Sequence, residues 1–153
     1  MQRDWILRVI EQMGAVLAEL RRMLFGGQPL DAAALERLDH LVSQVGLSTD
    51  VARTASADTL LLMVAPTGEV DPTRAWVLAE ALYIDGLDAE LRNDPDRADN
   101  SFRKALLLYR LVEPGSAFTG LVEATARISE VERRLSPGEQ GQFRGRADPD
   151  WEG

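Results

Sequence analysis

The chain has 153 residues, no cysteine, a single histidine and a formal net charge of -8. Its length fits one domain with a core of its own, and the lack of cysteine excludes disulfides, thiol chemistry and zinc–thiolate sites. The acidic balance argues against a nucleic-acid-binding protein, because binding to phosphates needs a net basic face.

Residues 4–25 carry apolar side chains at spacings of three and four, the period of an amphipathic helix. Gly26-Gly27 ends this helix, since glycine readily adopts the left-handed conformation of a C-cap. The wide apolar stripe has two interpretations, packing on the protein's own core or contact with a partner or a membrane surface. We hypothesise a homodimer through this helix. The residues expected to self-associate are Ile6, Val9, Ile10, Met13, Val16, Leu17 and Leu20.

Shorter helical segments follow the first helix and complete residues 1–65. Asp31 is a good N-cap, and the apolar positions after it predict a helix to about residue 45. Residues 50–55 favour one helical turn. Ser56 then caps a short helix, which a Pro-Thr-Gly sequence ends.

The C-terminal half begins with a sharp helix-start signal, Asp71-Pro72, in which an N-cap aspartate precedes a proline at the first helical position. The same signal recurs at Asp94-Pro95. These signals predict helices over residues 72–92 and 95–112, and the apolar pattern predicts another over residues 117–135. The first of the three has apolar residues on two faces, so we expect it to lie between neighbouring helices.

No segment alternates with the two-residue period of a β-strand. The sequence therefore predicts an all-α protein of about six helices in antiparallel hairpins, folded as one domain over residues 1–135. Residues 136–153 are rich in Gly, Pro, Gln and charge, and we predict a disordered tail there. The start of the chain lacks a signal-peptide pattern and no apolar run is long enough to span a bilayer, so we expect a cytoplasmic protein without membrane binding.

Small residues and one aromatic recur at fixed spacing in the C-terminal half. Gly86 lies in the predicted helix 72–92, and Ala98, Phe102 and Ala105 lie in the next one. Two helices approach closely only where side chains are small, and an aromatic ring fills the space beside such a contact. The pattern resembles a tetratricopeptide repeat over residues 72–135, and implies an α–α superhelical C-terminal half. It departs from that family at Ala89, where the repeat usually carries an aromatic residue.

Residues 1–135 as a whole also resemble a small bacterial family of unknown function, whose members open with a helix of the type Asp-Trp-Ile-Leu-Arg-Val-Ile-Glu-Gln-Met. This second resemblance implies no activity. The resemblance to the repeat implies partner binding, because the first helix of a peptide-binding repeat lines a concave face. The residues expected on that face are Glu80, Tyr83, Leu87 and Glu90. Such an acidic, partly aromatic surface would suit a basic or extended apolar segment.

Sequence patterns for catalysis and metal binding are missing. His40 has no predicted nucleophile or orienting carboxylate beside it, and the acidic run that includes Asp94 does not have the spacing of a calcium-binding loop. We therefore predict no catalytic, cofactor-binding or metal-binding residues, and a non-enzymatic protein–protein interaction or scaffold protein. The alternative is a ligand-binding or enzymatic helical protein with a pocket between helices. The residues expected around that pocket are Trp76, Tyr83, Phe102 and Tyr109.

Overall fold

A computed structural model describes residues 2–112 and 125–135, with side chains described from residue 8 onward. The helices are α1 (Gln2–Phe25), α2 (Ala32–Ser43), α3 (Thr49–Thr54), α4 (Ala57–Val64), α5 (Pro72–Leu91), α6 (Pro95–Val112) and α7 (residues 125–135). The described residues contain no strand, which confirms the all-α prediction. They form seven helices instead of about six, because α3 is a helix of its own. The predicted tail and residues 117–124 of the last predicted helix lie outside the described residues.

The helices begin where the sequence places capping residues. Asp31 accepts a hydrogen bond from the backbone N–H of Ala34 at 2.8 Å, and Asp71 accepts one from the N–H of Thr73 at 3.0 Å. Ser56 caps α4 in the same way. Each of these side chains binds a backbone N–H that has no partner within the helix, and this fixes the start of α2, α4 and α5 as predicted.

The turn between α5 and α6 depends on a residue with a positive φ. Asn93 has φ 58°, and this conformation lets Asp94 N–H donate to Ala89 O at 2.9 Å while Asn93 N–H donates to Glu90 O at 3.1 Å. Glycine usually occupies such a C-cap, as Gly27 does after α1, and asparagine tolerates it best among the other residues. The chain therefore reverses within a few residues, and α6 packs back along α5.

The central helix of the structure is α5, in which every residue from Ala75 to Ala89 is buried. It packs most extensively on α6 and next on α1, and it also contacts α2, α3 and α4. The prediction that this helix lies between neighbours is confirmed. The two helices α5 and α6 approach closely at Gly86, where an added Cβ would lie 2.5 Å from Cε1 of Phe102. The contact between a small residue and an aromatic ring, inferred from the sequence, is therefore present.

Candidate functional site

The four predicted partner-binding residues lie on α5, but most of them are inside the protein. Glu80, Tyr83 and Leu87 are 0%, 1% and 4% exposed. The prediction of an exposed face is wrong for these three residues, because α7 lies over this side of α5. Only Glu90 reaches the surface, where it accepts a hydrogen bond from Nη1 of Arg134 at 2.6 Å.

Helix α7 covers the predicted face with both charged and apolar side chains. Nε of Arg127 lies 3.2 Å from Oε2 of Glu80, and its guanidinium carbon lies 5.7 Å from the ring centroid of Tyr83. Three apolar side chains of α7 are buried, namely Ile128, Val131 and Leu135. We call the residues Glu80, Tyr83, Leu87 and Glu90 the α5 face, and in this structure α7 occupies it.

Glu80 is one of three carboxylates buried on α5. The hydroxyl of Tyr109 donates a hydrogen bond to its Oε2 at 2.9 Å, and Arg21 of α1 forms an ion pair with its Oε1. Burial, together with the charge of Glu80, raises the pKa of Tyr109 well above its ordinary value. Through its cationic partners Arg21 of α1 and Arg127 of α7, this carboxylate joins those two helices to α5.

Asp85 and Asp88 form a second buried group one turn apart on α5. Nη2 of Arg97 lies 2.6 Å from Oδ1 of Asp85 and 3.2 Å from Oδ2 of Asp88. The hydroxyl of Ser101 donates to Asp85 at 2.6 Å, and Arg53 of α3 lies 3.1 Å from the same carboxylate. These contacts connect α5 to α3 and α6.

Asp88 also fixes the segment that precedes α2. The backbone N–H of Leu30 donates to its Oδ1 at 2.8 Å, and Nε of Arg92 donates to its Oδ2 at 2.8 Å. Burial alone would raise the pKa of Asp88, but the hydrogen bonds from Arg92, Leu30 and Arg97 outweigh burial and lower it. The three buried carboxylates are therefore structural ion-pair partners, and the described residues contain no cluster of three or more His, Cys, Asp and Glu side chains that could hold a metal ion.

The predicted self-association stripe on α1 faces the protein's own core along most of its length. Its buried members are Ile10, Met13, Leu17 and Leu20. These four residues belong to the core of a single chain, and self-association through α1 stays a prediction. Val9 and Val16 are only half-buried. The side chain of Ile6 lies outside the described part of the structure.

A cleft of about 300 Å³ lies between α1 and α2 and is half-open to solvent. Its residues are Val9, Gln12, Met13 and Val16 from α1 and Arg37, His40, Leu41 and Gln44 from α2. The apolar side chains come from both helices, whereas the polar ones supply amide, imidazole and guanidinium groups. We call this feature the α1–α2 cleft, and it brings together the only predicted self-association residues described as half-buried, Val9 and Val16.

Polar contacts surround the α1–α2 cleft without supplying a catalytic group. Nη2 of Arg37 donates to Glu19 of α1 at 2.8 Å, and this hydrogen bond lowers the pKa of Glu19. The Nε2 atoms of His40 and Gln44 lie 3.5 Å apart. A neutral amide does not strengthen an imidazole base as a carboxylate would, so this contact gives His40 no general-base role.

The aromatic residues predicted to surround an inter-helix pocket are core residues. Each of them is buried: Trp76, Tyr83, Phe102 and Tyr109. The rings of Tyr83 and Phe102 have centroids 6.1 Å apart at an interplanar angle of 48°, an ordinary tilted contact of a packed core. Phe102 also fills the space above Gly86, so the position predicted for the pocket holds packed side chains.

Sequence patterns did not predict that residues of α2 line a cleft. They did show the apolar stripe of α1 and the apolar position Leu41 of α2. What no pattern gives is the pairing of these two helices, because it depends on the tertiary arrangement around α5. The arginines of the buried network were missed for the same reason, since Arg21, Arg53 and Arg127 lie on three separate helices.

Comparisons with known proteins gave no match to a family model, a curated protein or a solved structure. Within the described residues, no helix is long and apolar enough to cross a membrane.

Proposed function

We propose that this protein is a non-enzymatic interaction module that binds a segment of a partner protein in the α1–α2 cleft. The observation that supports the proposal is the cleft itself, in which apolar side chains of two helices remain partly open to solvent. Partly exposed apolar side chains that line a concave site between two helices are typical of a binding site.

The dimensions of the cleft favour a short segment as its occupant. About 300 Å³ accommodates only a few side chains, whereas a stable dimer interface covers about 800 Å² on each partner. Most of the α1 stripe is buried in the chain itself and cannot add to such an interface. The expected partner is therefore a helix or extended segment that inserts one or two apolar side chains.

The polar residues around the cleft limit the charge of the partner segment. Arg37 is already hydrogen-bonded to Glu19, and the other polar side chains of the cleft are those of Gln12, His40 and Gln44. Amide and imidazole groups can bind backbone N–H and C=O groups. We therefore expect the partner segment to be uncharged where it contacts the cleft.

The proposal can be tested by selecting peptides from a displayed random library on the full chain. Val16→Arg places a long cation in the cleft, and Gln44→Trp fills the cleft from the α2 side. Ala18→Arg is the matched control, because Ala18 is exposed and lies on the opposite side of α1. We expect the selected peptides to share an apolar residue and to bind the parent chain and the control. They should bind both cleft variants at least about tenfold more weakly, which is a loss of about 1.4 kcal/mol of binding free energy.

Circular dichroism on each variant establishes that it is folded before binding is compared. Selection of no peptide, or of peptides that bind the cleft variants as well as the parent chain, would contradict the proposal. If light scattering instead shows a dimer that Val16→Arg dissociates and Ala18→Arg does not, the occupant of the cleft is a second copy of the chain.

A small apolar ligand is a second candidate occupant, because the volume of the cleft lies at the lower end of the range for ligand pockets. Such a ligand would bind the parent chain in a screen of small apolar compounds, and its binding would be lost in the same two cleft variants. The half-open shape favours a protein segment, since a small ligand would keep much of its surface in water.

A further inference from the structure

The single histidine of the chain lies in the wall of the α1–α2 cleft. His40 lines the cleft from α2, together with Arg37, Leu41 and Gln44. Its side chain is exposed to solvent, whereas the neighbouring Leu41 is buried. A segment that enters the cleft would therefore contact the imidazole ring and remove part of the water around it.

Imidazole is the side-chain group whose charge ordinarily changes between pH 8 and pH 5. Carboxylates, which ordinarily take up protons near pH 4, and guanidinium groups keep their charge over this range. The chain has no cysteine and no second histidine. A change from about pH 7.5 to about pH 5.5 therefore alters the charge of the cleft at one residue, His40.

The other charged groups around the cleft give this imidazole no carboxylate partner in the lining. Among the described residues that line the cleft, Arg37 carries the only permanent charge, and it donates to Glu19 of α1 at 2.8 Å. This hydrogen bond and the charge of Arg37 lower the pKa of Glu19, so the pair persists in mild acid. A proton on His40 therefore adds a second cation to the lining. The remaining charged residues within one helical turn of the lining positions are Glu36 and Asp39 on α2 and Arg8 and Glu11 on α1.

The contact between His40 and Gln44 responds to the same proton. The two Nε2 atoms lie 3.5 Å apart. An amide nitrogen only donates hydrogen bonds, and a ring nitrogen accepts one only while it is unprotonated. Protonation of His40 places two donors against each other, so the side chain of Gln44, which also lines the cleft, has to turn.

An uncharged segment in the cleft makes the protonated state of His40 more costly. Water solvates the imidazolium while the cleft is open, and an apolar side chain in the cleft displaces part of that water. The uncharged segment supplies no anion in its place. Because binding equilibria are linked, the proton then weakens the binding of the segment by the same factor as the segment weakens the binding of the proton.

From this placement we propose that pH controls the occupation of the α1–α2 cleft through His40. The neutral imidazole permits the uncharged segment to bind, and the imidazolium releases it. This inference rests on the proposed function of the cleft and adds its regulation. Its sign is fixed: affinity falls as the pH drops from about 7.5 to about 5.5, because protonation opposes binding.

The test uses a peptide selected on the full chain at pH 7.5. The peptide has blocked termini and no titratable side chain, so its own charge is constant. Its affinity is measured at pH 7.5 and pH 5.5 for the parent chain, His40→Gln and His40→Lys. We expect the parent chain to bind at least about fivefold more weakly at the lower pH. The affinity of His40→Gln, which is neutral throughout, should change less than about twofold, and His40→Lys, which is always a cation, should bind weakly at both pH values.

Nuclear magnetic resonance of the parent chain gives a second measurement that needs no variant. The ring protons of the single histidine report its protonation, and we expect the midpoint of their titration to lie at lower pH in the complex than in the free chain.

Circular dichroism at both pH values establishes that each chain is folded. Equal affinity of the parent chain at the two pH values, an equal loss in His40→Gln, or an unchanged titration in the complex would overturn the control by His40 and leave the cleft as a binding site. Selection of no peptide at pH 7.5 would overturn the proposed function of the cleft and its pH control together.

Discussion

The contact between Gly86 and Phe102 shows how a glycine, which has only a hydrogen atom as its side chain, determines the distance between α5 and α6. The ring of Phe102 occupies the position that a Cβ on residue 86 would need. Glycine costs helix stability through its backbone freedom, so its presence in the middle of α5 is explained by this packing.

Gly86→Ala is expected to destabilise the protein by about 1–3 kcal/mol, because Phe102 must move or α6 must shift away from α5. Gly14→Ala in α1 is the matched control, since its added Cβ would lie 3.8 Å from Cη2 of Trp76 at ordinary contact distance. That change should be neutral or stabilise by up to about 1 kcal/mol through helix propensity. Urea unfolding of both variants measures the difference, and equal effects would refute the close approach.

Tyrosine ionisation is a second property that individual residues determine. The chain has two tyrosines. Burial raises the pKa of both: the charge of Glu80 adds to the shift of Tyr109, whereas for Tyr83 the nearby Arg134 partly opposes it. In the unfolded chain both should ionise near pH 10.

We therefore expect neither tyrosine of the folded protein to ionise as the pH rises through 10, and both to do so on unfolding. The sign follows from linkage, because the folded-state pKa of each tyrosine lies above its unfolded value. The stabilisation of the folded state by the un-ionised phenols is therefore present below about pH 10 and is lost as the pH rises further. Ultraviolet absorbance of phenolate measures the ionisation of the tyrosines. Ionisation of a tyrosine near pH 10 in the folded chain would contradict the burial of that residue.

At the scale of the element, α5 holds the other helices together through charges in its interior. Asp88 contacts the segment before α2 and the arginines of the α5–α6 turn and α6. Because the three carboxylates contact different sets of helices and share only Arg97, together they fix the positions of the helices that they contact. This is the specificity that buried polar groups can supply beyond their net stabilisation.

Asp88→Asn is expected to destabilise the protein by about 1.5–3 kcal/mol, the range for hydrogen bonds to charged groups. Asp99→Asn is the control, because Asp99 pairs with Arg103 at the surface and both side chains are about half exposed. That change should cost less than about 1 kcal/mol. Chemical unfolding at neutral pH checks both values.

The effect of Asp88→Asn should also depend on pH. The folded-state pKa of Asp88 is lowered, so its contribution is present above the unfolded value of about 3.9 and disappears as the pH falls through the folded value. The difference in stability between the parent chain and the variant should therefore shrink below about pH 4. A difference that stays constant in acid would mean that Asp88 is not stabilised as the anion.

Helix starts were the most predictable part of the fold, because the signals are local. Asp31, Ser56 and Asp71 each cap the helix expected of them. The interior position of Glu80 was not predictable in the same way. A glutamate on a helix is normally solvated, and its cationic partners Arg21 and Arg127 are 59 and 47 residues away in sequence.

At the scale of the whole molecule, the apolar pattern was enough to predict an all-α protein but not which stripes stay exposed. The α1 stripe and the α5 face both had the composition of contact surfaces. In the structure, most of the α1 stripe is buried against the core, and α7 covers the α5 face. What remains half-open is the α1–α2 cleft, which depends on how two helices converge and therefore has no signature in either helix alone.

The similarity to a tetratricopeptide repeat stays a prediction at this scale. The α5–α6 hairpin has the small-residue contact that the pattern requires, but a single hairpin of this kind also occurs in other helical proteins. The proposed interaction role therefore depends on the surfaces of this chain and not on the resemblance.

The measurement that tests this role most directly begins with affinity capture from the native host, with the full chain, its Val16→Arg variant and its Ala18→Arg variant as baits. The captured protein is then purified, and its affinity for each of the three forms is measured by titration. We predict one partner that binds the parent chain and Ala18→Arg with equal affinity and binds Val16→Arg at least about tenfold more weakly. A partner that binds all three forms equally, or the capture of none by a folded chain, would contradict the account.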